Sequence, residues 1–144
     1  MDCNKNVYVN KMESKGFEVI QDQKLSVMMT GIYDGENVTL LVGYTPKTNM
    51  VYCVSVMYWP LTAKTFESLT DKLSLMYGNE YREVTDPAKL RRNTEKMSVW
   101  KVMGKETGFV TLSKERSFDN PYTIVYLDDS HRKLYYDEMD KEKQ

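Results

Sequence analysis

Imidazole is almost absent from this chain: His131 is its one histidine. A hydrolytic triad, or any histidine-based acid–base chemistry, would have to rest on that residue alone. Thiols are nearly as scarce. The two cysteines, Cys3 and Cys53, make no disulfide framework in 144 residues. Cys53 lies in an apolar strand pattern and reads as a buried free thiol. A bridge to Cys3 would require an oxidising compartment.

None of the seven glycines precedes a Lys-Ser or Lys-Thr pair at the start of a helix, which removes the phosphate-binding loop. Gly104 and Gly108 flank a segment that joins two strands. No cofactor fingerprint is present, and neither cofactor nor metal is expected. Long apolar runs are missing too; none approaches the roughly 20 residues of a membrane-spanning helix. Met1 to Lys15 is polar and lacks the apolar centre of a signal peptide. The chain as written is expected in the cytoplasm, or in the periplasm or secreted if a leader has been trimmed. Excess charge of one sign is lacking: 20 Lys and Arg face 21 Asp and Glu, for a net charge of -1. Charge therefore demands neither a nucleic acid nor an anionic membrane as partner. No linker rich in Gly, Pro or Ser divides the chain.

What is present is ordinary globular material, 41% hydrophobic and 28% charged. The length fits one domain over residues 1–144, with 137–144 a charged tail expected to fray. Asn6 to Lys15 reads as a helix closed by Gly16, and Val19 to Lys24 as a short extended piece. Leu25 to Tyr33 and Asn37 to Tyr44 alternate as strands around Asp34-Gly35, a two-residue hairpin signal. Met50 to Trp59 is apolar on both faces, with Tyr52, Val54, Val56 and Tyr58 on one and Val51, Cys53, Met57 and Trp59 on the other. It reads as a central strand.

Ala63 to Tyr77 is an amphipathic helix on the stripe Phe66, Leu69, Leu73 and Met76, capped by Thr62 or Thr65 and ended by Gly78. Asn79 to Lys96 is irregular, with one helical turn opened by Asp86-Pro87. Three strands follow, at Met97 to Met103, Phe109 to Arg116 and Tyr122 to Leu127, and then a helix from Asp128. The expected fold class is α+β. It has an antiparallel sheet of about six strands and two or three helices, in the order α-β-β-β-α-β-β-β-α, a duplicated αβββ unit.

Three groups of residues invite chemistry. Asp128-Asp129-Ser130-His131 resembles a metal or base cluster, but Asp and Ser after a strand are helix-start residues. Glu67, Asp71 and Glu80 are expected on a solvated helix face, and a catalytic carboxylate pair is defined only by separation in space. Lys89, Arg91, Arg92, Lys96, Lys101 and Lys105 surround Trp100, a combination suited to single-stranded nucleic acid or an acidic partner. Tyrosine, at 11, and methionine, at 10, are abundant, and both serve cores and interfaces.

In order and spacing, several segments resemble a group of small Bacteroidetes proteins without assigned activity. They are Lys15-Gly16-Phe17, Gly31-Ile32-Tyr33-Asp34-Gly35, Val51 to Pro60, Leu75-Met76-Tyr77-Gly78 and Tyr122-Thr123-Ile124-Val125-Tyr126. The resemblance covers most of the chain, but its motifs are caps, turns and strand cores, so it transfers no functional residue. Members of that group often carry an export leader. The duplication is also similar to β-lactamase-inhibitor-like modules, which bears on fold alone.

The expectation is a non-enzymatic binding module, monomeric or homodimeric, that offers aromatic and Met side chains of a sheet to a protein or peptide. Tyr58, Trp59, Trp100, Arg91 and Arg92 are its candidate contacts. The alternatives are a small enzyme with a carboxylate or tyrosine site, or a nucleic-acid binder using residues 89–105.

Overall fold

Asn4 opens the first helix, α1 (Lys5–Ser14), by accepting the Val7 N–H on its side chain at 2.9 Å. Gly16, at φ 95°, ends it. Phe17 then turns back into the core, its N–H bonded to Met12 O. The computed structural model describes residues 3–102, 108–117 and 119–142.

Four strands follow α1: β1 (Glu18–Asp22), β2 (Ser26–Tyr33), β3 (Glu36–Tyr44) and β4 (Val51–Tyr58). The β2–β3 turn is the Asp34-Gly35 pair, both at positive φ, as a two-residue hairpin requires. Helix α2 (Phe66–Tyr77) opens on a capping box, in which Thr65 and Ser68 exchange side-chain and backbone hydrogen bonds. Gly78, at φ 103°, closes it. The second meander is β5 (Arg82–Val84), a 3-10 turn at Pro87–Lys89, β6 (Thr94–Lys101), β7 (Gly108–Glu115) and β8 (Tyr122–Asp128). Helix α3 (Asp129–Glu142) completes the described chain.

All eight strands form one antiparallel sheet in the order β1-β2-β3-β4-β8-β7-β6-β5. Each half is a helix followed by a four-stranded meander, and the two halves join where β4 pairs with β8. Only one face of the sheet is deeply buried. Across it run two rows in register. One is Val27, Val42, Val54, Tyr126, Val110 and Trp100; the other is Met29, Leu40, Val56, Ile124, Leu112 and Ser98. Helices α1 and α2 lie on this inner face. Leu69 and Leu73 of α2 are fully buried there, each contributing roughly 1.5–3 kcal/mol.

Four sequence expectations need correction. The sheet has eight strands, not about six, and the duplicated unit is αββββ. Strand β5 was hidden because it is an edge, and β1 was legible only as the extended piece at Val19 to Lys24. Every residue of β1 is exposed, so it carries no alternating apolar signal. The Ala63–Tyr77 helix starts at Phe66, on the Thr65 cap, and Met76 of its stripe is 56% exposed; Tyr77 packs inward instead.

In β4 a register shift opposite Gly43 and Tyr44 breaks the alternation. Val51 therefore pairs with Tyr44 on the inner face, while Tyr52 lies over Gly43 on the other. Finally, the tail expected to fray from Asp137 is helical to Glu142. Glu138 within it is buried and accepts hydrogen bonds from Lys47 N, Thr48 N and Thr48 Oγ1, at 2.6, 2.9 and 2.6 Å. The β3–β4 turn thus serves as the dock for α3. The loop expected at Gly104–Gly108 lies outside the described residues except for Gly108.

Candidate functional site

The outer face of the sheet is dressed differently. In register across it run Met28, Leu41, Ser55, Val125, Thr111 and Val99, with Thr30, Thr39, Met57 and Thr123 in the next row. Most are half-buried rather than buried. Among the described residues, α3 is the helix on this face, and it covers one end only. There Tyr135 packs on Tyr52 with ring centroids 4.8 Å apart. Tyr52 lies against Gly43, where an added Cβ would come within 3.0 Å of its ring. Burial pushes the Tyr52 phenol up to about 12.

At the opposite end the face is open and apolar. Ile32 of β2 pairs with Asn37, and Trp59 reaches the same row by donating its N–H to Asn37 O. The Trp59 indole lies on the outer face, with Nε1–H donating to Thr39 Oγ1 at 2.9 Å. Trp59 is 40% exposed and Ile32 68%. Two residues on, Leu61 is 91% exposed and sits at φ 65°, the left-handed region that a branched side chain avoids at a cost of about 1 kcal/mol. Sequence reasoning missed Ile32 and Leu61. The signal was present for Ile32, an apolar residue out of phase with the core alternation of β2.

The other predicted contacts lie elsewhere. Tyr58 and Trp100 are wholly buried, so they belong to the core and present no surface to a partner. Trp100 is locked under α2, its Nε1–H donating to Gly78 O at 3.1 Å and its ring 4.8 Å from that of Tyr81. Arg91 and Arg92 are exposed, and Arg91 pairs with Glu115 at 3.3 Å. The basic segment does not converge. Lys96 lies over the Phe66 ring on the inner side, whereas Lys101 sits at the far edge of the sheet, opposite Phe109. Lys105 is outside the described residues. With Trp100 buried, the aromatic platform expected for a nucleic-acid strand is not at the surface.

Asp128 is the cap of α3. Its Oδ1 accepts from Ser130 Oγ at 2.7 Å, Ser130 N at 3.1 Å and His131 N at 3.2 Å. Burial alone would raise its pKa, but these hydrogen bonds outweigh it and hold the carboxyl below its ordinary value. His131 donates from Nδ1 to Val51 O at 2.9 Å, so its ring is pinned to β4 as a structural tie. No group of three or more His, Cys, Asp or Glu side chains able to hold a metal occurs among the described residues. Both cysteines are free, and burial raises the Cys53 thiol. No helix among the described residues is long and apolar enough to cross a membrane.

Comparison with protein-family models, curated proteins and solved structures finds no match. The likenesses drawn from the order of caps, turns and strands therefore acquire no relative behind them. What stands is the α+β fold itself.

Proposed function

We propose that this chain is a non-enzymatic interaction module that binds a protein or peptide on the outer face of its sheet, with Trp59 as the principal contact. One observation carries this reading: Ile32 and Trp59 are both exposed in one row of the outer sheet face, and Leu61 is exposed two residues further along the chain. Scattered apolar residues on a surface need no explanation, but an exposed tryptophan and isoleucine in one sheet row invite one. Tryptophan is also the side chain most enriched among residues that dominate binding energy. The backbone strain at Leu61 favours the same view, since strain of this kind is retained where it presents a side chain for use.

The test places a photo-crosslinking amino acid at Ile32 and recovers adducts from the source cell, with and without Trp59→Ala. A discrete protein adduct that disappears in a Trp59→Ala variant of unchanged melting temperature supports the module. An adduct with a second copy of the chain would make that partner the protein itself. Adducts absent, or indifferent to Trp59, would overturn the assignment.

A further inference from the structure

The inner face contains a cavity of about 300 Å³ between α1 and α2, open along one side. This lies at the lower end of the ~300–1,000 Å³ typical of small-molecule sites. Its floor is aliphatic, formed by Leu40, Val54 and Val56. Its walls carry tyrosines from four separate elements: Tyr8 of α1, Tyr33 of β2, Tyr77 of α2 and Tyr126 of β8.

Tyr33 is an electrostatic neighbour of all three of the others, Tyr8, Tyr77 and Tyr126. Burial, reinforced by this mutual influence, pushes Tyr8 up to about 12 and raises Tyr77 and Tyr126. The walls are therefore neutral and offer O–H donors. Lys72 Nζ reaches the Tyr33 hydroxyl oxygen at 3.4 Å and lies 4.4 Å from the centre of its ring. With the Lys72 ammonium donating to its oxygen, the Tyr33 hydroxyl keeps its own proton to donate. Behind them, the buried Tyr58 hydroxyl has no hydrogen-bond partner among the described residues. Asp128 is the one charged residue along the lining, and the Lys72 ammonium on the Tyr33 oxygen carries the opposite sign, so the two together favour a ligand without net charge.

We infer that this cavity binds a small, uncharged, mostly apolar molecule bearing a carbonyl or ether oxygen, which the Tyr33 hydroxyl and its neighbours hold. Aliphatic floor, hydroxyl donors and offsetting charges each select one part of that description. The site shares no residue with Trp59, Ile32 or Leu61 and stands or falls independently of the proposed interaction surface.

The test uses the neutral aryl ketone prodan, whose emission shifts to the blue in apolar surroundings, on the full chain. Saturable one-to-one binding is expected. Val102→Trp, which places an indole at the cavity wall, should abolish it. Tyr33→Phe, which removes only the hydroxyl, should weaken it by about fivefold, the worth of one hydrogen bond. Leu75→Ala, on the exposed side of α2, should leave it unchanged. Melting curves accompany each variant; if Val102→Trp fails to fold, Tyr33→Phe decides. The inference is overturned if prodan does not saturate, if folded Val102→Trp or Tyr33→Phe binds as the parent does, or if the anionic anilinonaphthalene sulfonate binds more tightly than the ketone.

Discussion

Gly31 is expected to tolerate no methyl group, for a reason that can be measured. A Cβ built there would lie 2.5 Å from Phe17 Cδ1, 2.7 Å from Cγ and 2.8 Å from Cε1. Phe17 is 4% exposed and held by the turn that ends α1, so its ring has no open space to enter. Overpacking of this kind costs roughly 1–3 kcal/mol. Replacing Gly in a strand recovers about 0.5–1 kcal/mol through the unfolded chain. Gly31→Ala should therefore destabilise by about 1–2 kcal/mol, or lower Tm by roughly 3–6 °C for a domain of this size.

Urea unfolding followed by circular dichroism gives the number. The decisive companion is Phe17→Leu, which leaves a cavity when made alone but makes room for the new methyl. In the double variant the two losses should fall short of their sum by at least about 0.5 kcal/mol. A neutral Gly31→Ala, or strictly additive losses, would refute the contact and with it the way Phe17 pins α1 over the sheet.

Glu138→Ala should cost about 2 kcal/mol, because it strands two backbone donors and the Thr48 hydroxyl. Burial works to raise the Glu138 pKa, but the bonds from Thr48 and Lys47 prevail and hold it below the ordinary 4.5. The folded state therefore binds fewer protons than the unfolded one. The contribution of Glu138 is present above about pH 4.5 and lost as pH falls through the depressed value, so parent and variant should converge in acid urea titrations.

Alkali should act in the opposite sense. Tyr8 ionises near 10.0 when unfolded and about 12 when folded, so stability should decline across that window, with phenolate absorbance rising together with loss of ellipticity. Phenolate appearing near 10 in all tyrosines with the fold intact would contradict the buried cluster. Trp100→Phe, which loses the Gly78 hydrogen bond and part of a buried ring, should cost roughly 2–3 kcal/mol, against less than about 1 kcal/mol for Trp59→Phe, as denaturant midpoints will show.

Local signals made much of this fold legible. Alternation marked β2 and β3; Asp34-Gly35 marked a hairpin; Thr65, Gly78, Asp86 and Asp128 marked the ends of helices and turns. Each depends on residues within a few positions of one another, so one-dimensional reading suffices. The same reading missed β5 and gave β1 only as an extended piece without a partner, because an exposed edge strand is defined by its neighbour's ladder and not by its own pattern. It also failed to separate Trp59 from Trp100. Both stand in strand-like surroundings flanked by apolar residues, and only α2 folding over β6 decides that one is core and the other is surface.

Glu138 shows the converse. In a run of charges it reads as solvated, yet the β3–β4 turn supplies its donors from far along the chain. The tyrosine cavity is the extreme case, drawing single residues from two helices and two strands. By itself the sequence determined the α+β class and the antiparallel, hairpin-joined strands, because composition and short-range periodicity act locally. Only the tertiary structure decided which aromatics face solvent, what docks α3 and where four phenols meet, because those depend on contacts between residues that no local pattern connects.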